Sequence, residues 1–189
     1  MYKVLVADPP WQPYKDEMFT HKIPYKTLDL NGILRFPLPP MEDDSWLFLW
    51  RLTNFQKEAL DVARVWGFDV ISELVWVKTC KGQEDAEEPK VRVGLGMQAA
   101  RNAHEICLIA RRGKPERSSN SVSSVFYATP TKHSEKPDRF YEIVEELTGC
   151  PKNGGKIMEF FSRRTRPGWE HDGDQCPGKM YASCVAVAS

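Results

Sequence analysis

Short apolar runs, spaced by stretches of helical or loop character, constrain the fold of this chain more than any other feature. Residues 3–8 (KVLVAD), 45–50 (SWLFLW), 68–78 (FDVISELVWVK), 105–110 (EICLIA) and 156–161 (KIMEFF) each have the length and content of a buried strand. Residues 122–128 are read as one more. Between these runs, Thr53 and Gln56 stand at capping-box spacing before a helix. That helix puts Phe55, Ala59, Val62, Ala63 and Trp66 on one face and ends at Gly67. A later helix has Pro137 in its first turn, an apolar face of Phe140, Ile143, Val144 and Leu147, and a stop at Gly149. Strands alternating with helices predict an α/β sheet.

The remaining stretches read as loops. Residues 12–44 are rich in proline and polar side chains, as in a long functional loop. Charges and glycines make residues 79–101 a mobile loop. Residues 1–176 are expected to form a single domain, with a loose tail at 177–189.

Charge narrows the choice of partners. Lys plus Arg and Asp plus Glu balance at 26 each, so the chain is not a general polyanion binder. Binding nucleic acid would take a local basic patch or a second subunit. Arg92, Arg101, Arg111, Arg112, Lys114, Arg117, Arg163, Arg164 and Arg166 are the candidates for that patch. The five cysteines include no CxxC pair, which argues against a zinc cluster or a disulfide framework and for a reducing, cytoplasmic or otherwise intracellular setting. No metal site is expected, because the histidines lack zinc-ligand spacing. No apolar run is long enough to span a bilayer, so a membrane is not an expected partner.

The sharpest chemical signal is Asp8-Pro9-Pro10-Trp11, directly after the first strand. Prolines lack the donor a sheet ladder needs, so the strand must stop there. Ligands of α/β sheets gather at the carboxyl ends of strands, which is where Asp8 falls. A carboxylate, a stiffened carbonyl and an aromatic plane together suit an aromatic amine. The N6 amine of adenine is a poor nucleophile, since its lone pair is delocalised into the ring. Acceptors at Asp8 and the Pro9 carbonyl would hold its two N–H groups, with most effect where charge builds in the transition state. Trp11 would stack on the purine, worth roughly 1–3 kcal/mol. The competing reading is a Pro-Pro turn with Trp11 packed in the core.

Taken together, ADPPW, Tyr25, LFLW, ELVWVK, Gly94-Leu95-Gly96 ahead of His104-Glu105, HSEKPD, and EFFSRR followed by RPGW resemble the DPPW-class N6-adenine methyltransferases. The resemblance runs from about residue 4 to residue 175 and keeps the motif order. It implies a Rossmann-like S-adenosylmethionine-dependent methyltransferase sheet in permuted order, with the catalytic motif early and much of the donor site late. Asp8, Pro9, Pro10 and Trp11 are then the expected catalytic residues. Asp8, Lys136, Phe160, Ser162, Arg163, Gly173, Asp174 and Gln175 are expected to hold S-adenosylmethionine. Trp11, Tyr25, Arg92, Arg101 and His104 are expected on the acceptor side. Glu105 matches a family His-Glu pair and is read as structural or substrate-orienting, and Glu159 as lining the donor.

Two of these residues draw support from local chemistry as well. Lys136 sits beside the positive end of a helix, where a cation is unfavourable, which suggests that it holds an anion. Its alternative is a solvated lysine balanced by Asp138. Asp174 replaces the family's usual asparagine; it can accept from ribose hydroxyls but cannot donate. The expected function is methyl transfer to adenine N6 in nucleic acid, DNA favoured over RNA, with a homo- or heterodimer partner. The alternative is an inactive nucleic-acid-binding subunit of an active methyltransferase.

Overall fold

The computed structural model describes residues 1–12, 26–94, 100–131 and 135–173. Tyr25, Asp174, Gln175 and the tail at 177–189 lie outside them. The described residues form a seven-stranded sheet with helices on both faces. In chain order the elements are β1 (Tyr2–Ala7), α1 (Leu30–Leu34), β2 (Met41–Arg51), α2 (Gln56–Val65), β3 (Asp69–Lys78), β4 (His104–Arg112), β5 (Val125–Ala128), α3 (Asp138–Thr148), β6 (Ile157–Phe160) and β7 (Trp169–Asp172). This is the expected Rossmann-like α/β architecture.

Across the sheet the order is β5-β3-β4-β2-β1-β6-β7. β1 pairs in parallel with β2 on one side and with the late strand β6 on the other. β7 continues in parallel from β6, and β5 from β3. Only β4 runs against its neighbours β2 and β3. One edge of the sheet therefore collects the carboxyl ends of β1, β2, β3, β5, β6 and β7 together with the beginning of β4.

The period-2 alternation of the strands divides the core in two. Val4, Val6, Trp46, Phe48, Trp50, Leu74, Trp76 and Cys107 face α3, which covers them with Phe140, Ile143, Val144 and Leu147. Leu5, Ala7, Leu47, Leu49, Leu108, Met158 and Phe160 face the other way, beneath Ala59, Val62, Ala63 and Trp66 of α2 and its flank. Both sides of β1 and β2 are thus buried, which explains why their sequences read as near-continuous apolar runs.

Several local expectations need correction. The capping box at Thr53 and Gln56 does not form: the N-cap of α2 is Phe55, without a side-chain cap bond. Thr53 instead offers its carbonyl to Arg51, 3.5 Å away. Pro137 is the N-cap of α3, in extended backbone one residue before the first helical turn. The stop at Gly149 holds, with φ of 70° in the left-handed region. Helix α1 falls inside the expected long loop and is capped by Asp29, whose side chain accepts from Gly32 N at 2.7 Å. Residues 79–94 do not read as simply mobile: Thr79 bridges Val91, Cys80 N donates to Lys90 O at 2.9 Å, and Arg92 N donates to Lys78 O at 2.7 Å.

Candidate active site

β1 carries Asp8 to the carboxyl edge in the middle of the sheet. Backbone bonds fix the turn that follows. Pro9 O accepts from Trp11 N at 2.8 Å, Pro10 O accepts from Leu28 N at 2.9 Å, and Gln12 N donates to Leu28 O at 3.0 Å. The Pro9 carbonyl, expected to hold an amine, thus already serves Trp11. A carbonyl has two lone pairs, so one acceptor direction remains to it.

Asp8 lies in a chain of alternating charge. Lys136 Nζ is 2.9 Å from Asp8 Oδ2 and 2.9 Å from Glu105 Oε2. Glu105 Oε1 is in turn 2.8 Å from Lys78 Nζ. Lys136 also sits over the Trp50 ring, 4.6 Å from its centroid, and Lys78 over Trp76 at 5.3 Å. Lys136 is buried, with 9% of its surface exposed. Each member comes from a different part of the fold: the end of β1, the approach to α3, the start of β4 and the end of β3.

These surroundings separate the two carboxylates. Burial raises the Asp8 carboxyl above its ordinary value; Lys136 draws it down, Glu105 pushes it up and Arg163 draws it down, with the net shift upward. Burial also works against the charge on Glu105, but two cations outweigh it, and its carboxyl is held at about 2. Burial disfavours the Lys136 ammonium as well, yet Asp8 and Glu105 together raise it above the usual lysine range. Of the two acids sharing Lys136, Asp8 is therefore the one poised to take a proton.

The anion expected at Lys136 is present, but it is the protein's own. Arg163, half-buried after β6, lies close enough to Asp8 to act on its charge. His104 begins β4 opposite Val77 and is half-buried. Arg92 and Arg101 are exposed beyond the same edge of the sheet.

Three expected site residues have other work. Trp11 is 4% exposed, its indole N–H donates to Trp50 O at 3.1 Å, and its ring lies 5.5 Å from that of Phe55. A ring enclosed in this way offers no face to a base. Phe160 is fully buried against Phe36, centroids 5.1 Å apart, and its backbone carbonyl lies 3.5 Å from Asp8 N. Ser162 turns inward: its hydroxyl lies 2.6 Å from Arg164 O, 3.2 Å from Glu159 Oε2 and 3.2 Å from His171 Nδ1.

The grouping of Ser162, His171 and Glu159 is not a nucleophile triad. Arg166 N donates to His171 Nε2 at 2.7 Å, so the ring proton sits on Nδ1, beside Glu159 Oε2 at 3.1 Å. A histidine that is a donor at Nδ1 cannot take the serine proton there. Tyr141 completes the cluster, donating to Glu159 Oε1 at 2.9 Å. Together these groups latch the connection from β6 to β7, which carries Arg163 and leads into Gly173.

Several arginines expected in a basic patch are likewise committed to the fold. Arg112 donates to Trp66 O at 2.7 Å and stacks on Phe68. Arg164 pairs with Asp138 at 2.7 Å and Arg166 with Glu145 at 3.0 Å. The sequence marks Lys78 only as a charge closing an apolar strand. Among the described residues, no group of three or more His, Cys, Asp or Glu is arranged to hold a metal ion, and no helix is long and apolar enough to cross a membrane.

Comparison with known proteins places this edge in a family. Residues 2–175 match the family model described as MT-A70. The chain is 28% identical to the N(6)-adenosine-methyltransferase catalytic subunit METTL3 of Homo sapiens over 180 residues, covering 94% of this chain and 28% of that protein. It is 28% identical to the N(6)-adenosine-methyltransferase MT-A70-like protein of Drosophila melanogaster, covering 94% and 27%. Against the N(6)-adenine-specific methyltransferase METTL4 of Homo sapiens the identity is 25%, covering 92% and 37%. The chain thus spans well under half the length of these relatives. The matched span takes in all seven strands and the charged edge from Asp8 through Glu105 and Lys136 to Arg163, and the chain belongs to the MT-A70 family.

Proposed function

We propose that this domain transfers a methyl group from S-adenosylmethionine to the N6 amine of adenine in a nucleic acid. The observation that carries the reading is Asp8 at the carboxyl end of β1, inside the sheet, with Lys136 Nζ 2.9 Å from its Oδ2. A carboxylate has a second oxygen, and Asp8 remains 29% exposed at its side chain. It is thus an acceptor held from one side and open to another.

The edge also fits the donor's polar end, which carries both an ammonium and a carboxylate. Arg163 suits the carboxylate, together with the third N–H of Lys136, which Asp8 and Glu105 do not use. Close backbone packing at Gly173 brings the end of β7 against Ser162, where a Cβ would lie 2.2 Å from Ser162 O. Asp174 and Gln175, assigned to ribose and adenine by family resemblance, follow directly in the chain. The donor supplies a methyl group on a sulfonium, already a good leaving group. Asp8 accepts an N–H of the amine and fixes its orientation, with the remaining lone pair of Pro9 O available for the other N–H. Preplaced acceptors matter most where positive charge builds on that nitrogen. Lys136 and Glu105 keep Asp8 from swinging away. In this reading Arg92 and Arg101 contact phosphate, which their exposure supports, and His104 lines the rim of the acceptor site.

The names of the relatives divide between adenosine and adenine, and DNA over RNA is the finer proposal. A second subunit is proposed as well, because a neutral chain with many of its arginines internally paired has little charge to spare for a polyanion.

The test is methyl transfer from labelled S-adenosylmethionine to single-stranded DNA, duplex DNA and single-stranded RNA, with products digested to nucleosides for mass spectrometry. N6-methyladenine from any acceptor supports the reading and ranks the substrates. Asp8→Asn should lose at least about a hundredfold in turnover with its fold intact. Methyl transfer at an unchanged rate in that variant, or a product other than N6-methyladenine, would overturn the assignment. Donor binding without transfer would favour the partner-subunit alternative.

A further inference from the structure

Glu105 and Lys78 are assigned to neither proposed reactant, yet both are built into the edge. Glu105 is there because β4 runs against the other strands and presents its first residues where they present their last. It accepts a different lysine at each oxygen: Lys136 at Oε2, 2.9 Å, and Lys78 at Oε1, 2.8 Å. Lys136 is shared in turn, at 2.9 Å to Asp8. The signs therefore alternate through Asp8, Lys136, Glu105 and Lys78. An ammonium on a flexible stem has three donors and turns toward whatever acceptors surround it. With a single carboxylate in reach it would settle on both oxygens of that group. With two in reach it is divided between them.

We propose that Glu105, itself seated by Lys78, is a positioning residue that keeps Lys136 divided between two carboxylates, so that Lys136 steadies Asp8 through one oxygen and leaves the other for the acceptor amine. This rests on the reading of Asp8 as the amine acceptor. The groups acting on Asp8 are Lys136 from the approach to α3, Glu105 from β4 and Arg163 from the segment after β6, while Asp8 in turn pushes up the Cys107 thiol of β4. Lys78 pairs with Glu105 at 2.8 Å.

The chain predicts opposite effects from its two outer members. Glu105→Gln removes a negative charge near Asp8 and leaves Lys136 in place, so Asp8 should titrate at lower pH. Lys78→Met removes the cation that balances Glu105, so Asp8 should titrate at higher pH. A merely structural role for either residue predicts lost activity without these opposed displacements.

The experiment is a carbon-13 NMR titration of the Asp8 carboxyl in full-length protein labelled at aspartate, its resonance identified by its loss in Asp8→Asn. The acidic limb of kcat/KM is followed in the same variants. Glu105→Gln should move the Asp8 midpoint down and Lys78→Met up, each by about one pH unit. An unmoved midpoint in either folded variant, or displacement of both in one direction, overturns the proposal. If Glu105→Gln fails to fold, Lys78→Met decides alone: an upward displacement supports the chain and its absence refutes it. Opposed displacements that the transfer limb does not follow refute the acceptor role of Asp8 itself, which separates failure of that reading from failure of the charge chain.

Discussion

The indole N–H of Trp11 donates to the carbonyl oxygen of Trp50 at 3.1 Å, tying the last residue of the Asp-Pro-Pro-Trp turn to the end of β2. The turn that presents Asp8 is thereby anchored to the neighbouring strand as well as to β1. Trp11→Ala should cost about 3–5 kcal/mol of stability, the range for emptying a buried aromatic site. Trp11→Phe keeps most of the packing and loses the hydrogen bond, at about 1 kcal/mol. Urea unfolding measures both. Methyl transfer by Trp11→Phe should stay within a few-fold of the parent; a loss near a hundredfold with stability intact would restore the base-stacking role that the burial of Trp11 argues against.

His171 latches the connection between β6 and β7 from inside. Its Nε2 accepts from Arg166 N at 2.7 Å and its Nδ1 faces Glu159 at 3.1 Å, with both side chains under a tenth exposed. Removing the ring leaves Arg166 N and Glu159 each short of a buried partner. His171→Ala should cost about 2 kcal/mol, the scale for stranding buried polar groups. Because the same connection carries Arg163, donor affinity measured by calorimetry should also fall. Unchanged affinity in a destabilised His171→Ala would show that the latch supports the fold alone.

How much of this was legible in the sequence depended on whether the signal was local. The strands announced themselves by apolar content, and α3 by its apolar face and Gly149. Trp11 reads identically as a stacking platform or a core residue, because the difference lies in Phe55 and Trp50, both about forty residues away in the chain. Motif position puts Phe160 and Ser162 in the site, but a strand ending at the edge sends alternate side chains inward, and both are buried there. The sequence alone does not mark β7, because WEHD has too little apolar content to stand out. Family position marks Glu105 but nothing local marks Lys78 as its partner, since pairing them requires knowing that β4 is antiparallel. Asp8 and Lys136 each carry a local signal, and nothing short of the fold could show that they touch.

Lys136→Met should separate the two carboxylates by pH. In the parent protein Glu105 is held at about 2, below its ordinary 4.5, so its pairing contributes stability above that ordinary value and loses it as pH falls toward the lower one. Asp8 has the opposite sign: its folded value lies above the ordinary 3.8, so ionising it costs stability as pH rises through that shifted range. Removing the cation leaves two buried carboxylates facing each other and raises both. The variant should be about 3 kcal/mol less stable than the parent at about pH 7, with the gap narrowing as the pair takes up protons toward about pH 4. Urea unfolding across this range measures it; a gap independent of pH would mean that the loss of Lys136 acts through packing on Trp50 alone.

Gly173→Ala tests the donor side with a single methyl group. A Cβ at this position would lie 2.2 Å from Ser162 O and 2.7 Å from Ser162 N, backbone atoms that cannot rotate away as the end of a side chain could. Ser162 N also donates to Asp172 O at 3.1 Å, so the clash falls on the bond that joins the two late strand ends. Either that bond breaks or the end of β7 moves outward, carrying the following residues Asp174 and Gln175 with it. Gly173→Ala should therefore weaken S-adenosylmethionine binding by about tenfold or more, the scale of an overpacking cost of 1–3 kcal/mol. The fold of the rest of the sheet should survive, because the strain sits at its edge strand. Calorimetric titration of the donor, beside circular dichroism of the same sample, distinguishes the outcomes: full affinity with a normal spectrum would show that the donor does not depend on the close approach of Gly173 to Ser162.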